Sequence, residues 1–358
     1  MNGRTVDVAI VGGGLVGMTA ALACADRGLT VALSAATRPG SASGAAAGML
    51  APSTEGATAP VAAFASACRD AWPPYLDQLA GRSGRRVALN RLGILQVPAD
   101  EGGAGRLRAA AGAGSDWLTP LQAAELEPGI VAPLGALLHE RDGAVDNEHL
   151  LLALDEAIGA TDHVASAGEA RGIRLGRGTA ELLLADGGTI AAGRLVVAAG
   201  AWVSQLEGLP RAIPVVPVRG QMIGFAAAPV RHVIHGPGAY VVPRPAGRTI
   251  VGATMEHAGF DAGTSPEAAT RLADAAGRLA PGLAGLPVME HWAGLRPTTP
   301  DQLPILGPDP EHGTVLYACG HSRNGILMAP LTAECIAALA SGVPSPWPLE
   351  PFSVARFG

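Results

Sequence analysis

The pattern with the clearest chemical meaning is a group of glycines near the start of the chain. Gly12, Gly14 and Gly17 form the spacing Gly-x-Gly-x-x-Gly, placed between an apolar run and an Ala-rich run. Between a strand and a helix this turn binds the pyrophosphate of a dinucleotide, because glycines let the chain reverse and let the backbone approach the phosphates. The helix start at Leu15 and Val16 would then face the phosphates with N–H groups and a positive dipole end.

The usual ribose ligand of this motif is missing. An acidic residue normally ends the second strand and binds the adenosine ribose. Here that place holds Ser34, followed by Ala35. Arg38 lies just beyond, and an arginine in this region can accommodate the 2′-phosphate of NADP. From these residues alone the identity of the dinucleotide stays open.

One further spacing could hold a ligand, His232-x-x-His235. A metal site needs three or four donors, and no Asp, Glu or Cys lies close to this pair in sequence, so we expect no metal. The chain contains no lysine. A Schiff-base lysine, a pyridoxal-phosphate attachment and a P-loop lysine are therefore excluded.

Composition and charge narrow the class of protein. The 358 residues predict about two domains, and 48% hydrophobic residues predict a folded core. A net charge of −6 argues against a nucleic-acid partner. Residues 8–25 imitate a signal peptide, but their glycines favour a turn, and no other run is long enough to span a membrane. The four cysteines form no Cys-x-x-Cys pair, so we expect a reducing, cytoplasmic location and no membrane partner.

The elements that must position the glycine turn form a βαβ unit. We predict a strand over 6–11, a helix over 18–27 that ends at Gly28, and a second strand over 30–33. The small residues of 44–52 would let a flat ring lie against the backbone.

The rest of the chain divides between two sheets. We predict a surface excursion over 98–115, and a loop and helix over 142–157. A hairpin over 181–194 and a buried strand over 195–199, ending at Gly200, would return to the first sheet. Short β-type runs over 213–254 predict a second, mainly antiparallel sheet, and the remaining elements are a helix over 265–279, a strand over 315–319 and a helix over 325–339.

Eight ordered segments, spread over nearly the whole chain, resemble the D-amino-acid oxidase family of flavoproteins and most closely its glycine oxidase branch, which is associated with thiazole (thiamine) biosynthesis. These segments are 12–17, 45–50, 196–202, 217–221, 240–244, 251–255, 292–297 and 320–327. The resemblance implies an α/β fold with a Rossmann-type FAD-binding domain and a mainly antiparallel substrate domain. We expect the first domain to comprise 1–85, 142–212 and 290–358, and the second 86–141 and 213–289.

The resemblance also implies the cofactor and the reaction. FAD would be bound non-covalently, because 294–299 contains no cysteine for covalent attachment. The enzyme would oxidise glycine or a similarly small amine, such as sarcosine or a short D-amino acid, by hydride transfer from Cα to flavin N5. The imine would be hydrolysed or passed to thiazole synthesis, O2 would become hydrogen peroxide, and the protein would be a homo-oligomer.

By resemblance, Arg296 and Tyr240 are the catalytic residues. A guanidinium fork holds a carboxylate through two charge-assisted hydrogen bonds, and the tyrosine hydroxyl would be a second donor. Met49, Met255 and Arg323 would complete the substrate site. Ser322 stands where the branch often has an aromatic residue beside the flavin.

The cofactor-binding residues implied by the resemblance and by the glycine turn come from several segments. They are Gly12, Gly14, Leu15, Val16, Gly17, Ser34, Ala35, Ala42, Ser43, Ala47, Gly48, Met49, Ala170, Gly200, Arg323, Asn324, Gly325, Ile326 and Leu327.

Two other functions remain open at this point. One is an FAD-dependent amine or amino-acid dehydrogenase that uses an acceptor other than oxygen. The other is a decayed nucleotide-binding protein, which the serine at position 34 would favour. The sequence does not fix the substrate, the electron acceptor or the oligomeric state.

Overall fold

A computed structural model describes residues 4–55, 59–176 and 178–358. The strands, in chain order, are β1 (Arg4–Val11), β2 (Val31–Ser34), β3 (Met49–Leu50), β4 (Leu89–Asn90), β5 (Ile94–Gln96), β6 (Ser115–Leu118), β7 (Ala136–His139), β8 (Gly143–Val145), β9 (Val164–Ala167), β10 (Ala170–Leu175), β11 (Ala180–Leu184), β12 (Thr189–Val197), β13 (Val216–Phe225), β14 (Val233–Gly236), β15 (Ala239–Arg244), β16 (Arg248–Gly252), β17 (Glu290–Thr298), β18 (Ile305–Pro308) and β19 (Val315–Cys319). The α-helices are α1 (Leu15–Ala25), α2 (Ala42–Ala45), α3 (Ala59–Ser83), α4 (Glu101–Ala109), α5 (Pro120–Leu126), α6 (Asn147–Gly159), α7 (Pro266–Leu279) and α8 (Gly325–Ala340). Within the described ranges, none of the helices is both long enough and apolar enough to cross a membrane.

The first sheet contains the predicted βαβ unit. β1 pairs in parallel with β2 and with β12, and β9 extends the sheet beside β2. The α1 helix ends before Gly28, whose φ of +76° is the left-handed conformation that glycine adopts most easily. It packs against α6 and α8, burying Leu15 and Leu22. The strand–turn–helix–strand prediction is confirmed.

One long strand replaces two predicted ones. The hairpin around Asp186 is present, but its second strand continues without a break as β12. The first half of β12 pairs with β11 and its last residues pair with β19. The prediction of a separate strand over 195–199 was therefore wrong, because Arg194 and Leu195 continue the extended chain.

The second large sheet has the order β17-β13-β16-β15-β14-β5-β7-β6, with α7 packed on β13, β15 and β16. Most of its pairs are antiparallel, as predicted, and β14 with β5 is the parallel exception. β17 pairs with β13 along its full length, so 290–298 lies in this sheet and not in the first one. The expected domain division assigned this strand to the first domain, whereas its long-range pairing with β13 places it in the second sheet. The division into domains stays a prediction.

The segment 98–115 lies on the surface and contains regular secondary structure. Asp100 caps α4 by accepting a hydrogen bond from the Gly103 N–H at 2.7 Å, and Ser115 begins β6 of the second sheet. A good N-cap stabilises a helix by about 1 kcal/mol, which offsets the penalty of about one of the three glycines in α4. Most residues of the segment are exposed, so the predicted surface excursion is confirmed, although it carries a helix and the start of a strand.

Candidate active site

A cavity of about 480 Å³ is lined by residues from both large sheets. On one side it meets the carboxyl ends of β1 and β2, where open α/β sheets bind their ligands. On the other side it meets β13, β15, β16 and β17 of the antiparallel sheet. The start of α8 contributes to the same wall.

The glycine turn forms a cradle that larger residues would fill. Gly12 has a φ of +124°, and a Cβ there would lie 2.2 Å from the carbonyl oxygen of Ala198. A Cβ on Gly17 would lie 1.8 Å from the carbonyl oxygen of Gly12, so α1 can pack this closely only on glycine. At the helix start, the Leu15 N–H donates to Ser43 Oγ at 2.9 Å. The turn therefore fits a pyrophosphate held against backbone.

Small residues of α2 and the following segment cover the middle of the cavity. Gly48 has a φ of +68°, and a Cβ there would lie 2.0 Å from the carbonyl oxygen of Val145. A Cβ on Gly294 would lie 2.6 Å from Cβ of Ala45. These segments therefore present mainly backbone and methyl groups to the cavity, which leaves room for the ring system of a flavin.

The N-terminus of α8 faces the cavity. Asn324 occupies the cap position but its side chain makes no capping hydrogen bond, and Gly325 and Ile326 line the cavity. Ser322, just before the helix, has a φ of +49°, an uncommon conformation for a residue other than glycine. The first N–H groups and the positive dipole end of a 16-residue helix thus favour negative charge at this wall.

Arg296 presents a guanidinium group to the cavity. It lies against Gly220, where a Cβ would come within 2.3 Å of Nη1, and Nη1 donates to the Thr254 carbonyl at 3.1 Å. Arg296 forms no ion pair with any carboxylate in the described part of the chain. The guanidinium is therefore available to bind a carboxylate ligand.

Tyr240 lines the same end of the cavity. Its hydroxyl donates to Met222 Sδ at 3.3 Å, and burial raises the pKa of Tyr240 more than the neighbouring Arg296 lowers it. The phenol therefore stays protonated and can donate a hydrogen bond to a ligand. Met49 is half-buried in the cavity wall, whereas Met255 lies at the rim and is 61% exposed.

Sequence reasoning missed a carboxylate in this site, Glu55. Its Oε2 is buried, accepts no hydrogen bond within the described ranges and lies 3.5 Å from Nη2 of Arg323. Burial raises the pKa of Glu55, while Arg323 and Arg296 lower it. No local pattern marks Glu55, because the cavity is formed around it by segments distant in sequence.

The two histidines of the His-x-x-His spacing lie in different surroundings. His232 Nδ1 lies 2.8 Å from buried Glu127, whereas His235 lines the cavity. Burial, Arg323 and His139 lower the pKa of His235, so it is neutral at pH 7. Over the ranges 4–55, 59–176 and 178–358, no three His, Cys, Asp or Glu side chains are grouped as metal ligands.

At the β2 end of the cavity, Ser34 is buried and its Oγ donates to the Gly168 carbonyl at 2.8 Å. Arg38 Nη2 lies 2.6 Å from Oε1 of Glu169, and the guanidinium lies over the ring of Trp202 at 5.7 Å from its centroid. Ser34, Arg38, Glu169 and Trp202 all line the cavity.

Most of the predicted site residues lie together on the cavity wall. Those that line it are Gly12, Gly14, Leu15, Val16, Ser34, Ala42, Ser43, Ala47, Gly48, Met49, Ala170, Gly200, Tyr240, Met255, Arg296, Arg323, Asn324, Gly325 and Ile326. Gly17, Ala35 and Leu327 do not line it. Gly17 serves helix packing, Ala35 lies behind Gly13, and Leu327 is buried with its carbonyl bonded to Trp72 Nε1.

Comparison with known sequences gives a consistent family. A family model described as FAD dependent oxidoreductase (DAO) matches residues 7–339. The glycine oxidase of Geobacillus kaustophilus is 34% identical over 372 residues, which cover 98% of this chain and 97% of that protein. The bifunctional protein ThiO/ThiG of Synechocystis sp. is 36% identical over 94% of this chain, and this chain spans 51% of that protein's length.

Comparison with solved structures points to the same family as the sequence matches. The crystal structure of glycine oxidase from Geobacillus kaustophilus has a TM-score of 0.92 at 31% identity and covers 99% of both chains. The iminodiacetate oxidase from Chelativorans sp. BNC1 has a TM-score of 0.88 at 27% identity, over 97% of this chain and 98% of that one. These matches confirm the resemblance read from the sequence: the chain belongs to the DAO family of FAD-dependent oxidoreductases, and FAD is its cofactor.

Proposed function

We propose that this flavoenzyme oxidises glycine or a similarly small amine, such as sarcosine or a short D-amino acid, with O2 as electron acceptor. The observation that carries the proposal is Arg296, a cation without a carboxylate partner in the described ranges, which shares one cavity with the dinucleotide turn. The glycine oxidase relatives support the same substrate class.

The carboxylate of such a substrate would bind Arg296. A guanidinium fork makes two charge-assisted hydrogen bonds, each contributing about 1.5–3 kcal/mol. The Tyr240 hydroxyl lies at the same end of the cavity and would be the third donor, exchanging its weak bond to Met222 Sδ for one to oxygen. Together these donors would fix the direction in which Cα points.

The substrate amine would bind Glu55. An amino acid is a zwitterion, so a cavity that binds it needs a negative group as well as a positive one. The Glu55 carboxylate is the buried anion near Arg296 and Arg323, and its Oε2 accepts no hydrogen bond in the described ranges. An ammonium or amine hydrogen would supply the missing partner.

FAD would be held by the glycine turn at Gly12–Val16 and by the small residues of 42–48, with the start of α8 facing the part of the flavin that becomes negative on reduction. When bound, FAD would supply the two-electron redox chemistry: a hydride acceptor at N5, and reduction of O2 to hydrogen peroxide. The protein's own contribution is to orient the substrate, whose ammonium group must lose a proton before the hydride leaves Cα.

The product would be an imine, formed as the amine loses two electrons and two protons. It would be hydrolysed by water or passed to thiazole synthesis, a link that the bifunctional ThiO/ThiG relatives support. A homo-oligomeric state and a cytoplasmic location stay predictions, and light scattering on the purified protein tests the first.

An anaerobic visible spectrum before and after excess glycine tests the function. We expect the oxidised flavin bands to bleach, and to return with hydrogen peroxide when air is admitted. Bleaching without peroxide in air, but with reduction of a quinone dye, would instead identify a dehydrogenase. Bands that persist with glycine, sarcosine and short D-amino acids would contradict the proposed substrate class. Protein that takes up no added FAD would indicate a decayed nucleotide-binding protein.

A further inference from the structure

The end of β2 lacks the carboxylate that binds an adenosine ribose in dinucleotide folds of this kind. Ser34 stands there, and its hydroxyl hydrogen is already donated to the Gly168 carbonyl at 2.8 Å. A hydroxyl used in this way has only the lone pairs of one uncharged oxygen to offer a ligand, whereas a carboxylate offers two charged oxygens, one for each ribose hydroxyl.

The neighbouring strand brings a carboxylate to the same place. β9 pairs in parallel with β2, with Ser34 directly beside Ala167. The next two residues, Gly168 and Glu169, therefore extend past the end of the sheet next to Ser34. Glu169 and Ser34 both line the cavity. The acidic group missing from one strand end is thus present at the adjacent one.

The Glu169 carboxylate is held in position. Arg38 Nη2 donates to its Oε1 at 2.6 Å, and the Arg38 guanidinium lies over the indole of Trp202. A carboxylate has about four acceptor positions, so one bond to Arg38 leaves capacity for two hydroxyl donors. The side chain of Glu169 is 48% exposed, which leaves it accessible to a ligand.

The same ion pair argues against a 2′-phosphate at this site. Arg38 is the cation that the sequence offers for NADP, but here it is neutralised by Glu169. A phosphate dianion that bound the Arg38 guanidinium would also come close to the Glu169 carboxylate, and the two negative charges would repel each other.

We propose that Glu169 accepts hydrogen bonds from the adenosine ribose hydroxyls of FAD, and that Arg38 orients it. The carboxylate that binds the ribose would therefore come from the β9–β10 turn, one strand away from its usual position at the end of β2. The inference rests on FAD as cofactor and is independent of the substrate.

Binding of FAD to the apoprotein, followed by flavin fluorescence, tests the proposal. We expect Glu169→Ala to weaken FAD roughly tenfold or more, as for loss of hydrogen bonds to a charged group, and Glu169→Gln to weaken it less. FMN lacks the adenosine, so its affinity should not change. Glu181→Gln, which removes a carboxylate from an exposed ion pair with Arg174 on the same sheet, is the matched control and should bind FAD normally.

Competition by ADP analogues separates ribose recognition from a structural role. In the natural protein, 2′-deoxy-ADP or 3′-deoxy-ADP should compete more weakly than ADP, and this difference should disappear in Glu169→Ala. Removing the carboxylate should also free Arg38, so adenosine 2′,5′-bisphosphate should bind Glu169→Ala more tightly than the natural protein. If Glu169→Ala weakens ADP and both deoxy analogues equally, or weakens FMN as much as FAD, the proposal is overturned.

Discussion

Tyr240 and Gly252 lie directly opposite each other on the neighbouring strands β15 and β16, and a Cβ on Gly252 would lie 2.6 Å from Cζ of the tyrosine. The same Cβ would lie 2.3 Å from Sδ of Met222, the atom that accepts the hydrogen bond of the Tyr240 hydroxyl. Because residue 252 is glycine, there is room beside it for the side chains of Tyr240 and Met222.

Replacing Gly252 by alanine should displace Tyr240 and Met222 without touching the dinucleotide turn. We expect the KM for glycine to rise about tenfold, equivalent to one lost hydrogen bond of about 1.4 kcal/mol. FAD affinity should stay within about twofold of the natural value. Steady-state kinetics and flavin titration measure both. Gly159→Ala, at a position where a Cβ meets nothing within 4 Å, is the control. An unchanged KM for Gly252→Ala would show that Tyr240 does not contact the substrate.

Arg296→Ala should remove the carboxylate-binding group. We expect the KM for glycine to rise about a hundredfold, since two charge-assisted bonds are lost, while the flavin spectrum is retained. Arg296→Lys should restore little, because an ammonium does not match a carboxylate as a planar fork does. Arg278→Ala, an exposed residue in the last turn of α7, controls for the loss of one positive charge. A normal KM in Arg296→Ala would refute the assignment.

Glu55→Gln should distinguish amine binding from carboxylate binding. We expect the KM for glycine to rise about tenfold, whereas inhibition by glycolate, which has no amine, should stay equal or become stronger as a negative charge leaves the cavity. Equal losses for both ligands would mean that Glu55 only positions Arg323.

The pH dependence of binding provides a second test of Glu55. Burial raises the pKa of this carboxyl above its ordinary value of 4.5, more than Arg323 and Arg296 lower it. Amine binding needs the ionised form, so the KM for glycine should rise as the pH falls through that raised pKa, and this acid limb should be absent in Glu55→Gln.

Local signals explain which parts of the fold could be predicted from the sequence. The glycine turn and the α7 helix, where Ser265 accepts the Ala268 N–H and Pro266 occupies the first turn, are fixed by residues within a few positions of each other. Their conformations follow from sterics and capping, which the sequence displays directly.

The parts that could not be predicted depend on contacts between distant segments. Glu55 meets Arg323, and Arg38 meets Glu169, across separations of more than a hundred residues. Likewise, the membership of β17 in the second sheet is decided by its pairing with β13. Without the packed fold, these carboxylates are indistinguishable in sequence from ordinary surface residues.

Asp142 positions the segment that leads to Glu55. It is fully buried, accepts the N–H groups of Ser53 and Thr54 at 3.1 and 2.9 Å, and pairs with Arg69 at 3.1 Å. Asp142→Asn would leave Arg69 with only the partly exposed Asp70 as its ion-pair partner and would remove the charge that accepts from Ser53 and Thr54, so we expect a loss of about 1.5–3 kcal/mol in the free energy of unfolding. Urea denaturation measures it, with Asp155→Asn on the exposed face of α6 as control. A loss below about 1 kcal/mol, the range of exposed pairs, would contradict this account.

His321, at the wall of the cavity, should make the stability of the holoenzyme depend on pH. Burial lowers the pKa of His321 from 6.5 to about 4. Between these values the unfolded chain binds a proton that the folded chain does not, so stability must fall as the pH drops from 6.5 towards 4, by up to about 3 kcal/mol. In His321→Gln this loss of stability at low pH should be smaller, whatever the stability of the variant at pH 7.

Urea denaturation at several pH values between 7 and 4 measures how the free energy of unfolding changes with pH, and His163→Gln, at an exposed position, should keep the pH dependence of the natural protein. Parallel curves for the natural protein and His321→Gln would show that this imidazole is not kept neutral by burial.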